Sequence, residues 1–388
     1  MAPTTITVII PTSIVMSQET LQAIIRITQT TQTLARRHKM LNSITVIIKP
    51  SNHCNIKCSY CYVEHSESSS QISMEMLPKL IHNCVKGFSL VNFVWLGGEP
   101  LLMGLDYYQE INNIQDTYRK KGIIINNSLQ TNGILLNDKF LSQFQKNCFG
   151  VGISFDAPYE TQIKTRTNLF SEQQWLNLFE KVKYYQPKPS FLCVITKDNI
   201  DKPNEIFDFF EKIGAYHFSL HPEIVFDKIE DQDKINESLF NLFKSIFDLW
   251  ISKPFNVVKS IDPLSSMITN LCGVTNLCIF SSRCLKGLVS INPEGIVIPC
   301  SSLDTPKYYF SNVLEQKSLI EILQEKPAKQ FRKEISNTIN QQCKGCRYIS
   351  ICRNGCKSIS YWSKNDKYPL CKAYMKTYDY ILQKIKSY

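Results

Sequence analysis

From residue 44 onward, short runs rich in β-branched and aromatic residues alternate with longer amphipathic stretches, a pattern typical of strands followed by helices. Six runs predict strands at 44–50, 93–100, 123–133, 150–158, 190–197 and 217–224. The stretches between them predict helices at 74–90, 105–121, 137–147, 172–185 and 203–213. This alternation predicts an α/β fold with a parallel sheet and right-handed crossovers. Six units favour an open, partial barrel over the closed eight-unit form.

The pattern changes on both sides of this barrel, which we predict to span residues 41–225. Residues 1–40 form an N-terminal extension of unknown role, rich in threonine, which could be a helical segment, a targeting peptide or translated upstream sequence. Residues 226–271 have the polarity of a helical bridge, although Pro254 and Pro263 interrupt it. Residues 272–388 are rich in cysteine, and we expect bound metal to supply the cohesion that their few apolar runs cannot.

Polar residues gather at the C-terminal ends of the predicted strands, where βα barrels assemble their sites. A cysteine-containing loop follows the first strand. The residues at the C-terminal ends of the next three strands are Gly97, Gly98 and Glu99, then Asn132, then Ser154 and Asp156. The sequence therefore predicts that the chemistry converges on one rim of the barrel.

Fifteen cysteines in a chain without a secretion signal favour metal binding or catalysis over a disulfide framework. Cys84, Cys148 and Cys193 have apolar neighbours, and we predict that they are buried small hydrophobes. No run of eighteen apolar residues occurs, so we expect a cytoplasmic protein that does not enter a membrane. The net charge of +10 is spread along the chain, which favours an ordinary solvated surface over nucleic-acid binding.

The loop after the first strand supplies three cysteines within eight residues, Cys54, Cys58 and Cys61. A structural zinc site needs four ligands, so zinc would require a fourth donor such as His53 or His65. Three thiolates on a cluster of four irons instead leave one iron open for a substrate. We therefore favour an iron–sulfur cluster at this loop.

This spacing, with Tyr60 before the last cysteine, resembles the signature of radical S-adenosylmethionine (radical SAM) enzymes. The resemblance implies a 4Fe–4S cluster that binds S-adenosylmethionine, and a glycine-glycine-glutamate motif that binds its methionine amino group. The positions that match the family's cosubstrate site are Tyr60, Gly97, Gly98, Glu99, Asn132, Ser154, Asp156 and Arg166. Arg166 suits such a role because a guanidinium pairs bidentately with a carboxylate. One departure is Gln162-Ile163, where relatives often carry a His-Asp pair before this arginine.

The C-terminal cysteines resemble the SPASM extension of radical SAM enzymes that modify peptides and proteins. The resemblance implies two auxiliary 4Fe–4S clusters, one held by Cys278, Cys284, Cys300 and Cys356, the other by Cys343, Cys346, Cys352 and Cys371. Cys272 lies six residues before Cys278 and is an alternative ligand. From spacing alone, two zinc sites in a small ribbon domain remain an alternative.

The resemblance implies that S-adenosylmethionine is cleaved to a 5′-deoxyadenosyl radical, which removes a hydrogen atom from the substrate. An auxiliary cluster can then accept a second electron. In sulfatase-maturing relatives an aspartate that takes the substrate proton follows the cysteine matching Cys300. Here the residue is Ser301, a poor general base, and Asp304 is displaced by three residues.

We therefore predict a maturase of the cyclophane type that crosslinks a ribosomally made precursor peptide, with a flavodoxin or ferredoxin as electron donor. Formylglycine formation on a protein is the alternative. A radical SAM enzyme acting on RNA, or a zinc-binding interaction protein without catalysis, would explain less of the sequence.

Overall fold

The computed structural model of the protein describes residues 42–63, 70–167, 170–223, 232–253, 258–273, 284–285, 287–364 and 367–387. The N-terminal extension, His65 and Cys278 lie outside the described residues. Predictions made for them therefore stay predictions.

One nine-stranded sheet organises the described chain, in the order β7-β6-β5-β4-β3-β2-β1-β8-β9. Every neighbouring pair is parallel except β8 with β9. The strands are β1 (Ser43–Ile48), β2 (Leu90–Trp95), β3 (Ile124–Thr131), β4 (Gly150–Ser154), β5 (Ser190–Ile195), β6 (His217–Pro222), β7 (Ser260–Asp262), β8 (Leu288–Ile291) and β9 (Val297–Ile298).

Helices connect the parallel strands and surround the sheet. The described α-helices are α1 (Leu77–Val85), α2 (Leu105–Arg119), α3 (Asp138–Lys146), α4 (Tyr159–Thr165), α5 (Glu172–Val182), α6 (Pro203–Lys212), α7 (Gln232–Ser252), α8 (Leu264–Leu271), α9 (Leu319–Ile322), α10 (Lys326–Gln342), α11 (Lys357–Trp362) and α12 (Cys371–Ser387). No described helix is long and apolar enough to span a bilayer.

The predicted α/β architecture is confirmed, and all six predicted strands occur, each ending two to five residues before its predicted C-terminal residue. The residues beyond the strand ends include Glu99, Asn132 and Asp156, whose N–H groups donate to a loop carbonyl or to side chains and not to a neighbouring strand. Strands β7, β8 and β9 were not among the predicted strands. The predicted helical bridge contains the short strand β7, and β8 joins β1 directly, so the cysteine-rich region extends the barrel sheet. The domain boundaries given above stay predictions.

The two faces of the sheet differ in burial. Ile44, Val46 and Ile48 of β1 are at most 5% exposed, whereas Thr45 and Ile47 between them are half-buried. Burying a large aliphatic side chain stabilises a fold by about 1.5–3 kcal/mol, so the outer, helix-covered face carries the core. The partly exposed inner face is left as a concave surface that can hold ligands.

The three isolated cysteines have different surroundings. Cys84 on α1 and Cys193 on β5 are fully buried, as small hydrophobic side chains should be. The same prediction is wrong for Cys148, which is exposed in the turn after α3 and has a positive φ of 53°. The neighbouring Phe149 fills the core there with its larger apolar side chain.

Candidate active site

The glycine pair after β2 is pressed against the backbone that leads into the first cysteine loop. The Gly98 N–H donates to the Ser51 carbonyl at 3.0 Å, and the Glu99 N–H donates to the His53 carbonyl at 2.7 Å. A Cβ atom on Gly98 would lie 2.0 Å from the His53 carbonyl oxygen, and one on Gly97 would lie 2.5 Å from the Ser51 oxygen. Real Cβ atoms do not come within 3.0 Å of such neighbours, so only glycine fits.

Glu99 ties the end of β2 to the end of β3. Its carboxylate is 2% exposed and accepts hydrogen bonds from the Leu101 N–H at 2.9 Å, the Thr131 hydroxyl at 2.8 Å and the Asn132 N–H at 2.8 Å. Burial raises the pKa of Glu99 to about 6, although these hydrogen bonds oppose the rise. At neutral pH the side chain is therefore a fixed negative charge beside the cysteine loop.

Asn132 reaches from the end of β3 to the same loop. Its amide nitrogen donates to the Asn55 side chain at 2.7 Å and lies 3.8 Å from the Cys54 sulfur. Ser154, at the end of β4, is half-buried on the inner face, and its hydroxyl accepts from the Gln130 amide at 2.8 Å. These two side chains flank the space between the loop and the inner face.

A buried ion pair lies behind the cysteine loop. Arg166 is 7% exposed, and its Nε and Nη2 atoms lie 3.0 and 3.2 Å from the two oxygens of Asp156, which is fully buried. The Asp156 carboxylate also accepts from the Tyr60 hydroxyl at 2.5 Å, the Thr165 hydroxyl at 2.7 Å and the Val194 N–H at 3.0 Å. With five donors on one carboxylate, the buried charges are well compensated.

Arg166 also fixes the loop itself. Its backbone forms an antiparallel bridge with Cys58, and the Ser59 N–H donates to the Thr165 carbonyl at 2.8 Å. The remaining guanidinium nitrogen, Nη1, lies 3.9 Å from the Cys58 sulfur. Gln162, which departs from the family pattern, accepts from the Asp156 N–H at 2.8 Å and so supports the pair.

The three cysteines of the loop lie close enough to interact electrostatically. Burial raises the pKa of Cys58 to about 11, and Arg166 opposes this rise, while Cys61 is exposed on the rim. N–H donors stand beside two of the sulfurs, which favours their thiolate forms. Three thiols with such donors are the ligand set that an iron–sulfur cluster uses, so the residues fit that group.

Two further groups of cysteines lie in the C-terminal region. We call Cys284, Cys300 and Cys356 the inner cysteine set, because their thiols interact with one another and are raised in pKa mainly by burial. The pKa of Cys356 rises to about 11. Cys272 is half-buried at the end of α8, and the choice between it and Cys278 stays open.

We call the other group the outer cysteine set, whose members line one small cavity together with aromatic side chains. Its members are Cys343, Cys346, Cys352 and Cys371. All four are half-buried, and their thiols interact electrostatically. The structure thus brings together three of the four cysteines predicted for one auxiliary cluster and all four predicted for the other, while their role as cluster ligands stays a prediction.

Asp304 is the acid nearest in sequence to Ser301. One carboxylate oxygen pairs with the Lys49 ammonium at 2.9 Å, and the other accepts from the Asn292 amide at 3.2 Å. Lys49 follows β1 directly and its side chain is 3% exposed. Ser301 is 7% exposed. Asp304 is therefore held by a buried lysine, and the residue directly after Cys300 is Ser301 and not an acid.

Two histidines on the inner face were missed by the sequence analysis. His217 and His221 alternate with buried residues along β6, and their rings contact the hydroxyls of Ser260 and Ser219. Loss of hydration inside the protein lowers the pKa of His217 and, although its side chain is exposed at the surface, that of His221. The negative charge of Asp262 opposes both shifts. The period-two pattern His217, Ser219, His221 was the available signal.

A family model described as the radical SAM superfamily matches residues 48–210, the strands and loops that carry this rim. Residues 48–210 form a radical SAM domain. A second model, SPASM, described as an iron–sulfur cluster-binding domain, matches residues 278–347. The radical SAM domain binds a 4Fe–4S cluster and S-adenosylmethionine, and the SPASM domain binds auxiliary iron–sulfur clusters.

Several known proteins are similar to this radical SAM enzyme over most of its length. The cysteine-type anaerobic sulfatase-maturating enzyme of Clostridium perfringens is 26% identical over 371 residues, which cover 88% of this chain and 97% of that protein. The structure of native anSMEcpe with bound AdoMet and Cp18Cys peptide has a TM-score of 0.78, with 24% identity over 88% of this chain and 97% of that one. Streptococcus suis SuiB bound to precursor peptide SuiA has a TM-score of 0.61, with 16% identity over 88% and 78%.

Proposed function

We propose that this radical SAM enzyme oxidises a ribosomally made precursor peptide and joins two of its side chains in an intramolecular crosslink. The observation that carries this proposal concerns the residues near Cys300 that could accept a proton from the substrate. Ser301 cannot act as a base at neutral pH, and Asp304 is engaged by Lys49 and Asn292. The likeness to folds that hold bound peptides supports a peptide substrate.

In this proposal Cys54, Cys58 and Cys61 hold the cluster that binds the cosubstrate. When bound, that cluster supplies the electron that cleaves S-adenosylmethionine to methionine and the 5′-deoxyadenosyl radical. The other residues proposed to hold or orient the cosubstrate are Tyr60, Gly97, Gly98, Glu99, Asn132, Ser154, Asp156 and Arg166. Asp156 acts through Arg166, because its carboxylate is wholly enclosed by protein donors.

The Glu99 carboxylate is proposed to bind the amino group of the cosubstrate, which makes binding depend on pH. Because burial raises the pKa of Glu99 to about 6, its charged form is the minor one at pH 5 and the major one at pH 7. We expect the Kd for S-adenosylmethionine to fall about tenfold over this interval, as measured by equilibrium dialysis. Glu99→Gln should bind weakly at both pH values, and a wild-type profile as flat as that of the variant would contradict the assignment.

Crosslinking requires the substrate to lose a hydrogen atom, an electron and a proton, and the inner face offers acceptors for the proton. The lowered pKa values of His217 and His221 keep both imidazoles neutral at pH 7. His221 on β6 is paired with Val194 on β5. The N–H of Val194 in turn donates to Asp156, which follows β4. His221 therefore lies two strands away from the predicted cosubstrate residues at the end of β4. We propose that an imidazole nitrogen of His221 accepts the proton.

Formylglycine formation is the second candidate, favoured by the 26% identity to a sulfatase-maturating enzyme over 88% of the chain. It would convert a cysteine or serine of the substrate to an aldehyde. In that case Asp304 would have to leave Lys49 in order to accept the substrate proton. The two candidates differ in their products, because formylglycine formation leaves an aldehyde and crosslinking does not.

Mass spectrometry of co-expressed peptides tests the proposal. Each short open reading frame beside the gene is expressed with the enzyme, and the reconstituted enzyme is assayed on a sulfatase peptide in parallel. We expect a precursor that loses two hydrogen atoms, does not react with a hydrazide, and resists fragmentation between the linked residues. A product that reacts with the hydrazide, or modification of the sulfatase peptide alone, would overturn the crosslink in favour of formylglycine.

Two variants make this experiment specific. Cys58→Ala should leave the precursor unmodified, which ties the product to cosubstrate cleavage. His221→Gln should lower the yield of product while 5′-deoxyadenosine still forms, because hydrogen abstraction precedes proton loss. Equal product from His221→Gln and wild type across pH 6–8 would rule out the histidine as acceptor without affecting the crosslink proposal.

A further inference from the structure

Two largely buried lysines stand beside the inner cysteine set. Lys49 directly follows β1, and Lys357 directly follows Cys356 and begins α11. Their side chains are only 3% and 16% exposed. Lysine is seldom buried unless an acid pairs with it, and a buried ion pair is weak evidence for stability. Two such cations beside one group of thiols therefore call for a chemical explanation.

Lys49 is held at the loop that begins with Cys300. Its backbone N–H donates to the carbonyl of Ile291 on β8 at 2.9 Å, and its ammonium donates to Asp304 at 2.9 Å. Asp304 comes four residues after Cys300 in the chain. The Leu303 N–H turns back to the Cys300 carbonyl at 2.9 Å. The end of β1 thus presents a positive charge to this side of the inner cysteine set.

Lys357 presents a second charge from another element. Its ammonium lies 3.0 Å from a carboxylate oxygen of Glu334 on α10. The helix α11 that it begins also contacts the loop after Cys300, because the Ser358 hydroxyl donates to the Ser302 carbonyl at 3.3 Å. The elements that carry the two lysines therefore meet around the inner cysteine set.

The thiols respond to both lysines. Burial raises the pKa of Cys300, and the charge of Lys49 opposes this rise. Burial and the neighbouring thiols raise the pKa of Cys284 to about 12, and the charge of Lys357 opposes that rise. Each lysine acts on its thiol more strongly than the acid paired with it does. The ammonium end of each ion pair is therefore directed toward the inner cysteine set.

The inner cysteine set fits an auxiliary iron–sulfur cluster. Its three buried thiols interact with one another, and Cys272 or Cys278 could supply a fourth. The reduction potential of such a cluster depends on the charges, hydrogen bonds and solvent around it. A positive charge in a poorly hydrated interior favours the reduced form, which carries one more negative charge.

We propose that Lys49 and Lys357 raise the reduction potential of an auxiliary cluster held by the inner cysteine set, which suits that cluster to take an electron from the substrate. This inference rests on the proposed function and on the predicted ligand role of these cysteines. In the step concerned, the substrate radical loses one electron and one proton. The electron reduces the cluster by one unit, and the proton passes to the acceptor proposed above, His221.

A redox titration of the reconstituted holoenzyme, followed by electron paramagnetic resonance, tests the two lysines without any peptide. Lys49→Met should lower the equilibrium constant for reduction of one auxiliary cluster about tenfold, which is a fall of about 59 mV in its midpoint. Lys357→Met should lower the same midpoint, and the other midpoints should stay in place. The matched control is Lys181→Met, whose ion pair with Asp138 is exposed, and it should shift no midpoint.

The sign of the shift separates an effect of charge from a structural one. Asp304→Asn removes the negative charge that offsets Lys49, so it should raise the same equilibrium constant about threefold. Lys49→Arg keeps the positive charge and should stay within about twofold of wild type. Shifts of the same sign in Lys49→Met and Asp304→Asn would mean that the pair only holds the loop. That result, or midpoints that do not move, would overturn the proposal.

Iron content shows whether a variant has kept its clusters. If Lys49→Met has lost one, Asp304→Asn and Lys357→Met decide by the same criterion, with opposite shifts expected. Because no peptide enters the titration, its result does not depend on crosslink formation. The expected shifts with no modified precursor would support the role of the lysines and reject the proposed reaction. A crosslinked precursor with unmoved midpoints would do the reverse.

Discussion

Replacing Gly98 with alanine should lower the rate of S-adenosylmethionine cleavage about 100-fold or more. The new methyl group would lie 2.0 Å from the His53 carbonyl oxygen, so the backbone that carries Cys54 must move by more than an ångström. A displacement of that size separates the cosubstrate from the cysteine loop. Formation of 5′-deoxyadenosine with dithionite as reductant, followed by liquid chromatography, measures the loss.

Gly287→Ala is the matched control, because a Cβ atom there meets nothing within 4 Å. Its rate should stay within about twofold of wild type. If Gly98→Ala kept more than a tenth of the wild-type rate, the close approach of the two loops would not be needed for cleavage. Iron content of both variants separates loss of the cluster from misplacement of the cosubstrate.

Asp156→Asn should reduce the free energy of unfolding by about 3–5 kcal/mol. The substitution leaves the guanidinium of Arg166, which is 7% exposed, without its opposite charge. It also replaces one of two acceptor oxygens, which together bind five donors, with an amide that donates. Urea denaturation followed by circular dichroism measures the shift in midpoint.

The control for this charge removal is Asp138→Asn. Asp138 pairs with Lys181, but the two side chains are 77% and 53% exposed, so the pair contributes little. Its denaturation midpoint should match that of wild type. A midpoint for Asp156→Asn that also stays within error of wild type would show that the buried pair is dispensable for stability.

The strands were predictable because their signal is local. A run such as Ile44 to Ile48 alternates between the core and the inner face, and that period is written in consecutive residues. The short strand β7 was not predictable, because three residues carry too little periodicity. Its place in the sheet depends on pairing with β6, a contact between distant parts of the chain.

Some features of the candidate site were likewise predictable from the sequence, and others were not. The spacing of Cys54, Cys58 and Cys61 predicted a cluster loop, since short spacing alone brings thiols together. The sequence did not predict that Arg166 binds Asp156, because residues ten apart meet only when α4 turns the chain back. The sequence analysis also assigned Arg166 to the cosubstrate carboxylate. In the structure the Nε and Nη2 atoms of Arg166 bind Asp156, and Nη1 lies beside the Cys58 sulfur instead.

The sequence by itself determined the radical SAM domain and the alternating α/β architecture, and it predicts the cysteines of the cluster loop, because each depends on spacing along the chain. Only the tertiary structure decided that Asp304 is held by Lys49, 255 residues away, and that His221 lies on the inner face. It alone joined the cysteine-rich region to the barrel through β8. The physical reason is that burial and partner choice depend on folding, which brings together residues that no local pattern relates.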